Sequence, residues 1–167
     1  MKLTSAEANK VINKLNDERD ALLRMEQENR TFVAATVEDI EEARPEYSYE
    51  ETRDRLAEID EKVRKIKHTL NLFNVSQELP GFGMTIDQAL ICIPQLTAKK
   101  RKLAAMRSIP KKQRNMSTRS TNLLEYSYAN FDVALAEADY NAAADRLARL
   151  QNALDLINST VKIDFDL

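Results

Sequence analysis

Apolar side chains recur at steps of three and four residues in four long stretches of this chain. That period marks helices that bury one face. The clearest run is Leu56, Ile59, Val63, Ile66, Leu70 and Phe73, the 3-4 spacing of a coiled-coil seam. A second seam reads Val133, Ala136, Tyr140, Ala143, Leu147, Leu150, Leu154 and Ile157. Around it, Asn141 to Ala144 is Asn-Ala-Ala-Ala. Small seam residues let a neighbouring helix approach closely, which makes this helix central. The first helix faces inward with Ala8, Val11, Ile12, Leu15, Leu22 and Met25. The third does so with Ile86, Leu90, Ile93, Leu96, Leu103 and Met106. The predicted bounds are about 5–30, 49–75, 86–107 and 131–158.

Helix starts carry their own signal. Thr4 with Glu7, Ser48 with Glu51 and Thr85 with Gln88 fit capping boxes, in which a hydroxyl and a side chain three residues on satisfy early amides. Pro94 lies inside the third pattern and removes one amide donor. Either it kinks that helix or two shorter helices meet there.

The connections are less regular. Residues 31–47 read as a loop with a helical turn around Ile40. Pro80, Gly81 and Gly83 mark a reversal at 77–85, without the Lys-Ser/Thr end of a phosphate-binding loop. Residues 108–128 read as irregular. Glu-Tyr-Ser-Tyr occurs at 46–49 and again at 125–128. The two copies record an old duplication or pair as a short ribbon. The tail alternates Val161, Ile163, Phe165 and Leu167, a strand that docks on something. The expected fold is all-α and a single domain over 1–167: an antiparallel four-helix bundle or coiled-coil hairpins, with a kinked third helix and a short β-ribbon from loop and C-terminal tail.

Charge changes this picture in one place. The chain has 25 Lys and Arg against 27 Asp and Glu. Nine of the bases and none of the acids fall in residues 88–124, so the other 130 residues hold 16 bases and 27 acids, net −11. The nine are Lys99, Lys100, Arg101, Lys102, Arg107, Lys111, Lys112, Arg114 and Arg119. They are the candidate contacts for a polyanion or a protein partner. Lys99 to Arg107 ends the third helix, where positive side chains suit the dipole. Pro110 to Asn115 is expected as an exposed loop. No aromatic residue interleaves the basic run itself, so the run alone offers no base stacking.

Catalytic chemistry finds little support. One His and one Cys exclude a Cys/His metal site and a di-iron bundle built on Glu-x-x-His repeats. His68 falls on the outer face of its helix, and Cys92 is expected as a small buried hydrophobe. Glu38, Asp39, Glu41 and Glu42 form an acidic cluster without the glycine pattern of a calcium loop. No catalytic, cofactor-binding or metal residue and no small-molecule substrate is expected. Residues 1–15 lack the apolar core of a signal peptide, and no stretch has the roughly 20 apolar residues of a membrane span. A cytoplasmic location is therefore expected.

From Ile66 to Leu167 the chain resembles an uncharacterised bacterial family labelled septicolysin-like. The segments that carry the resemblance are IKHTLNLFN, MTIDQALICIPQLTAKKRKLAAMRS and the final helix, with Asp132, Val133, Asp139, Leu147, Leu150 and Asn158 in corresponding places. Ser159 stands where that family usually has Trp. The resemblance implies a small, helical, oligomerising protein and, by the label, a cytolysin. It brings no catalytic residues. The functional expectation is a non-enzymatic, self-associating helical protein. Nucleic-acid binding through 99–119 is the alternative, and membrane activity a further one.

Overall fold

A computed structural model describes residues 1–115 and 124–166. Among them the elements run β1 (Lys2–Thr4), α1 (Ser5–Asn29), α2 (Ile40–Ala43), α3 (Tyr49–Ser76), β2 (Glu78–Leu79), β3 (Met84–Thr85), α4 (Ile86–Arg107), β4 (Lys112–Arg114), β5 (Tyr126–Tyr128), α5 (Val133–Thr160) and β6 (Lys162–Asp164). The protein is mainly helical. It divides into two compact units, Met1–Asn74 with Asn158–Leu167, and Val75–Ile157.

In the first unit α1 and α3 form an antiparallel hairpin. Ala8 and Ile12 near the start of α1 share a core with Ile66 and Leu70 near the end of α3. Further along, Arg19 Nε donates to Asp60 at 3.0 Å and Arg55 Nε to Glu18 at 2.8 Å. Tyr47, just before α3, donates its hydroxyl to Glu26 at 2.7 Å. The seam residues Ile59, Ile66 and Leu70 are buried and Leu56, Val63 and Phe73 half-buried, as their spacing predicts. Each such side chain contributes about 1.5–3 kcal/mol when fully buried.

The tail is a strand, but its partner is the other terminus rather than a loop. Lys2 pairs with Asp164, Leu3 with Ile163 and Thr4 with Lys162. The alternation then places Ile163 and Phe165 in the core beside Ala8 and Ile12. Thr4 also caps α1. Its Oγ1 accepts from Glu7 N–H at 3.2 Å, and Glu7 Oε2 accepts from Thr4 N–H at 2.8 Å and from Lys162 Nζ at 2.7 Å. One carboxylate thus ties the helix cap to the terminal ribbon.

The second unit contains the reversal, α4, a second ribbon and most of α5. The reversal is a small hairpin, β2 against β3. Its loop places Gly81 at φ 80° and Gly83 at φ 60°, a region where a Cβ is costly. Thr85 then opens α4 with a complete capping box to Gln88. Asp132 Oδ1 accepts from Ala134 and Leu135 amides, so α5 starts at Val133. Ala136, Ala143, Leu147, Leu150, Leu154 and Ile157 are buried along it. Arg107, at the end of α4, stacks on Tyr140 of α5 at 3.8 Å, while Phe82, before α4, meets Arg149 at 5.9 Å. The two helices therefore run in opposite directions.

Several expectations need correction. Pro94 does not split the third helix, which is continuous from Ile86 to Arg107. The donor it lacks would have reached the carbonyl of Leu90, on an exposed face where water can serve instead. Leu90 points outward, and Ala89 takes the buried place. Cys92 is half-buried rather than buried. The two Glu-Tyr-Ser-Tyr copies do not pair, because Tyr49 already belongs to α3. Residues 112–114 are a strand, not a loop, and they pair with 126–128.

Candidate functional site

The basic segment is two surfaces. The first is the outer stripe of α4. Asp87, Leu90, Ile91, Pro94, Ala98, Arg101, Lys102 and Ala105 fall on one side of the helix, at helical spacing, and all are exposed. Leu90 keeps 47% and Ile91 58% of its surface open to solvent. After Asp87 the stripe is apolar from Leu90 to Ala98 and then basic at Arg101 and Lys102, where Lys99 is also exposed and Lys100 half-buried. Because Ile86, Ala89 and Leu103 are buried on the opposite side, α4 carries apolar residues on two faces. A helix of this kind has more apolar surface than one core can use. Arg107 differs from the other bases, since its guanidinium lies against the Tyr140 ring.

The second surface is the ribbon of β4 and β5. Lys112 pairs with Tyr128, Gln113 with Ser127 and Arg114 with Tyr126. The ladder continues through Ala129 N–H to the Lys111 carbonyl at 3.2 Å and Asn115 N–H to the Glu125 carbonyl at 2.9 Å. Directly opposed residues project from the same face, and alternate residues from opposite faces. One face therefore presents Lys112, Arg114, Tyr126 and Tyr128, and the other Gln113 and Ser127. Lys112 Nζ lies 4.2 Å from the Tyr126 ring centre and 5.6 Å from that of Tyr128. All six residues are exposed. Of the predicted contacts, Lys111, Lys112 and Arg114 thus gather at the ribbon, while Arg119 lies outside the described residues.

Tyr126 and Tyr128 share this face with the predicted contacts Lys112 and Arg114, and the sequence pattern did not place them there. Their strand character was visible in Tyr-Ser-Tyr. Their partner was not, because three residues with no apolar side chain give Lys-Gln-Arg no strand signal of its own. The basic run itself holds no aromatic, as read from the sequence, and the opposite strand brings two Tyr rings beside it.

The other candidate chemistry is accounted for locally. Glu38 accepts from the Ala35 amide at 2.8 Å, Asp39 from the Glu41 amide at 2.9 Å, and Glu41 pairs with Arg44 at 2.8 Å. The acidic cluster holds its own turn. Among the described residues no three His, Cys, Asp or Glu side chains group as metal ligands, and no helix is long and apolar enough to cross a membrane. His68 is exposed, as expected. A cleft of about 350 Å³ lies beside Tyr47, Ser48 and Glu51, and one of about 300 Å³ beside Phe82, Asp145, Arg146 and Arg149. The Tyr47 hydroxyl titrates above its ordinary range because it donates to Glu26. Glu7 is held below its ordinary value, first by Lys162 and then by the Thr4 amide, and Glu61 by Lys65. These shifts come from one tyrosine–carboxylate hydrogen bond, two ion pairs and a helix cap.

In fold the chain is similar to a functionally unknown conserved protein from Corynebacterium diphtheriae. Its crystal structure matches 98% of this chain and 100% of its own, with a TM-score of 0.61 and 16% identity. That likeness concerns the fold alone. No protein-family model and no curated protein sequence matches the chain.

Proposed function

We propose that the protein is a non-enzymatic interaction protein that associates with copies of itself through the outer stripe of α4. The observation that carries this reading is the exposure of Leu90 and Ile91 in the second turn of a helix whose other side already serves the core. Covering that stripe removes apolar surface from water, which is the main driving force for association. The second copy is the partner we favour, on charge. Residues 38–54 hold eight acids and two bases, and they complement the lysines and arginine in the second half of the stripe. In a twofold dimer such a pairing is made twice, because each copy offers both members.

The finer architecture, an antiparallel four-helix bundle, belongs to the same proposal and is supported by the two heptad-spaced seams of α3 and α5. The resemblance to septicolysin-like proteins supports a small oligomerising helical chain. Light scattering behind size-exclusion chromatography tests the electrostatic half of the reading. Reversing Lys99, Arg101 and Lys102 to Glu should lower the mass seen at tens of micromolar protein. An unchanged mass for that variant would remove the acidic segment as the contact.

A further inference from the structure

We propose that the face of the β4–β5 ribbon bearing Lys112, Arg114, Tyr126 and Tyr128 binds single-stranded nucleic acid. The two cations would lie on phosphates and the two phenol rings under bases.

The ribbon first raises a question of stability. A two-stranded ribbon on its own is marginal in water, and neither strand places a side chain in the core, since all six residues are exposed. Large aromatic rings left in water cost solvation without a packing return. Tyr126 keeps 42% and Tyr128 64% of its surface open. Register then sorts the chemistry. Both cations and both rings fall on one face, and the other face has only Gln113 and Ser127 between its ends. A surface made only for solubility needs no such sorting.

The geometry favours a strand over a duplex. Tyr126 and Tyr128 are two residues apart, so their rings rise from points about 6.7 Å apart along the strand. That is about twice the 3.4 Å rise per base in one strand of a duplex. Two neighbouring bases can each take a ring only if their own stack is opened, which a single strand allows. Lys112 Nζ sits between these rings, 4.2 and 5.6 Å from their centres. It holds the phenols in place and puts a positive charge where the linking phosphate passes. Lys111 and Glu125 flank the two strands at positions that alternate onto the other face, and neither strand itself carries a carboxylate. An acidic peptide would satisfy the charges but leave the rings unused, so nucleic acid is the better match. The site is separate from the α4 stripe, and a strictly monomeric protein would still possess it.

The test is fluorescence anisotropy of labelled dT12 and rU12 with the full chain at 50 mM salt, beside a hairpin duplex and oligoglutamate. Binding on the order of 1–100 µM is expected for a small site of this kind. The double variant Tyr126→Ala/Tyr128→Ala should weaken it tenfold or more, and Tyr126→Phe/Tyr128→Phe should stay within about twofold of the parent. Lys112→Gln/Arg114→Gln should flatten the dependence of log K on log salt by about 1.4, for two phosphates. Unchanged helical circular dichroism would confirm that each variant is folded. No binding at 100 µM protein, equal affinity for duplex or oligoglutamate, or wild-type binding by the Tyr→Ala pair would each overturn the proposal.

Discussion

The α1–α3 hairpin and α4 are built from similar residues and end differently. In the hairpin the apolar positions form one seam each, apart from Leu72 and Val75, which are exposed near the end of α3, and the flanks are charged and joined by Arg19–Asp60 and Arg55–Glu18. Those exposed pairs contribute little to stability because solvent screens them, but they leave a finished polar surface. On α4 the apolar residues occupy two faces, and the outer one ends in a block of bases without acids. The first surface is mostly polar, whereas on α4 Leu90 and Ile91 lie side by side in solvent, and the self-association proposed above has a second copy cover them. Function is therefore to be sought on the second unit, where the α4 stripe and the β4–β5 ribbon both lie.

The contrast can be broken first by truncation. Ile66→Ala, in the hairpin seam, should cost about 2–5 kcal/mol in urea unfolding, because it leaves a cavity among fully buried neighbours. Ile91→Ala, of similar size change on the α4 stripe, should cost within about 0.5 kcal/mol at protein concentrations where the chain is monomeric. Equal losses would mean that Ile91 belongs to a core. Next come the reversal glycines. Gly81→Ala and Gly83→Ala meet no neighbouring atom within 4 Å, so each should cost about 1–2 kcal/mol through its positive φ alone.

The two capping boxes sharpen the contrast further. Thr4→Ala and Thr85→Ala should each cost about 0.5–2 kcal/mol, with Thr4 the greater, since it is buried and its partner Glu7 also holds Lys162. The pH dependence of that tie is smaller still. Lys162 and the Thr4 amide favour the Glu7 carboxylate, so its folded value lies below the ordinary 4.5. The unfolded chain takes up the proton more readily. The stabilisation is thus full above 4.5 and lost as pH falls through the lowered folded value. Lys162→Met should move the Glu7 carboxyl signal in an NMR titration up towards 4.5. A midpoint that stays where it was would show that Lys162 is not the main cause.

Legibility in the sequence followed the range of the interaction. The seams of α3 and α5 repeat over many turns, and each cap is contained in four residues. Their helices were therefore predicted to within about two residues. The ribbons were not. Thr4 was legible as a cap, but Lys2–Thr4 and Lys162–Asp164 are three residues each and lie at opposite ends of the chain. Nothing local says that they meet. Tyr126 and Tyr128 announced a strand while Lys112–Arg114 did not, so half of the candidate site was visible and its pairing was hidden. Leu90 failed for another reason. On a helix with apolar residues on both sides, hydrophobicity alone does not distinguish the core from the outer face, and the smaller Ala89 was buried in its place.

Sedimentation equilibrium on the wild-type chain and on Leu90→Glu/Ile91→Glu, each at 50 µM, tests the self-association reading most directly. The account predicts a wild-type mass of at least twice 19.1 kDa and a folded, monomeric variant. A wild-type chain that sediments at 19.1 kDa, or a variant that keeps the wild-type mass, would contradict it.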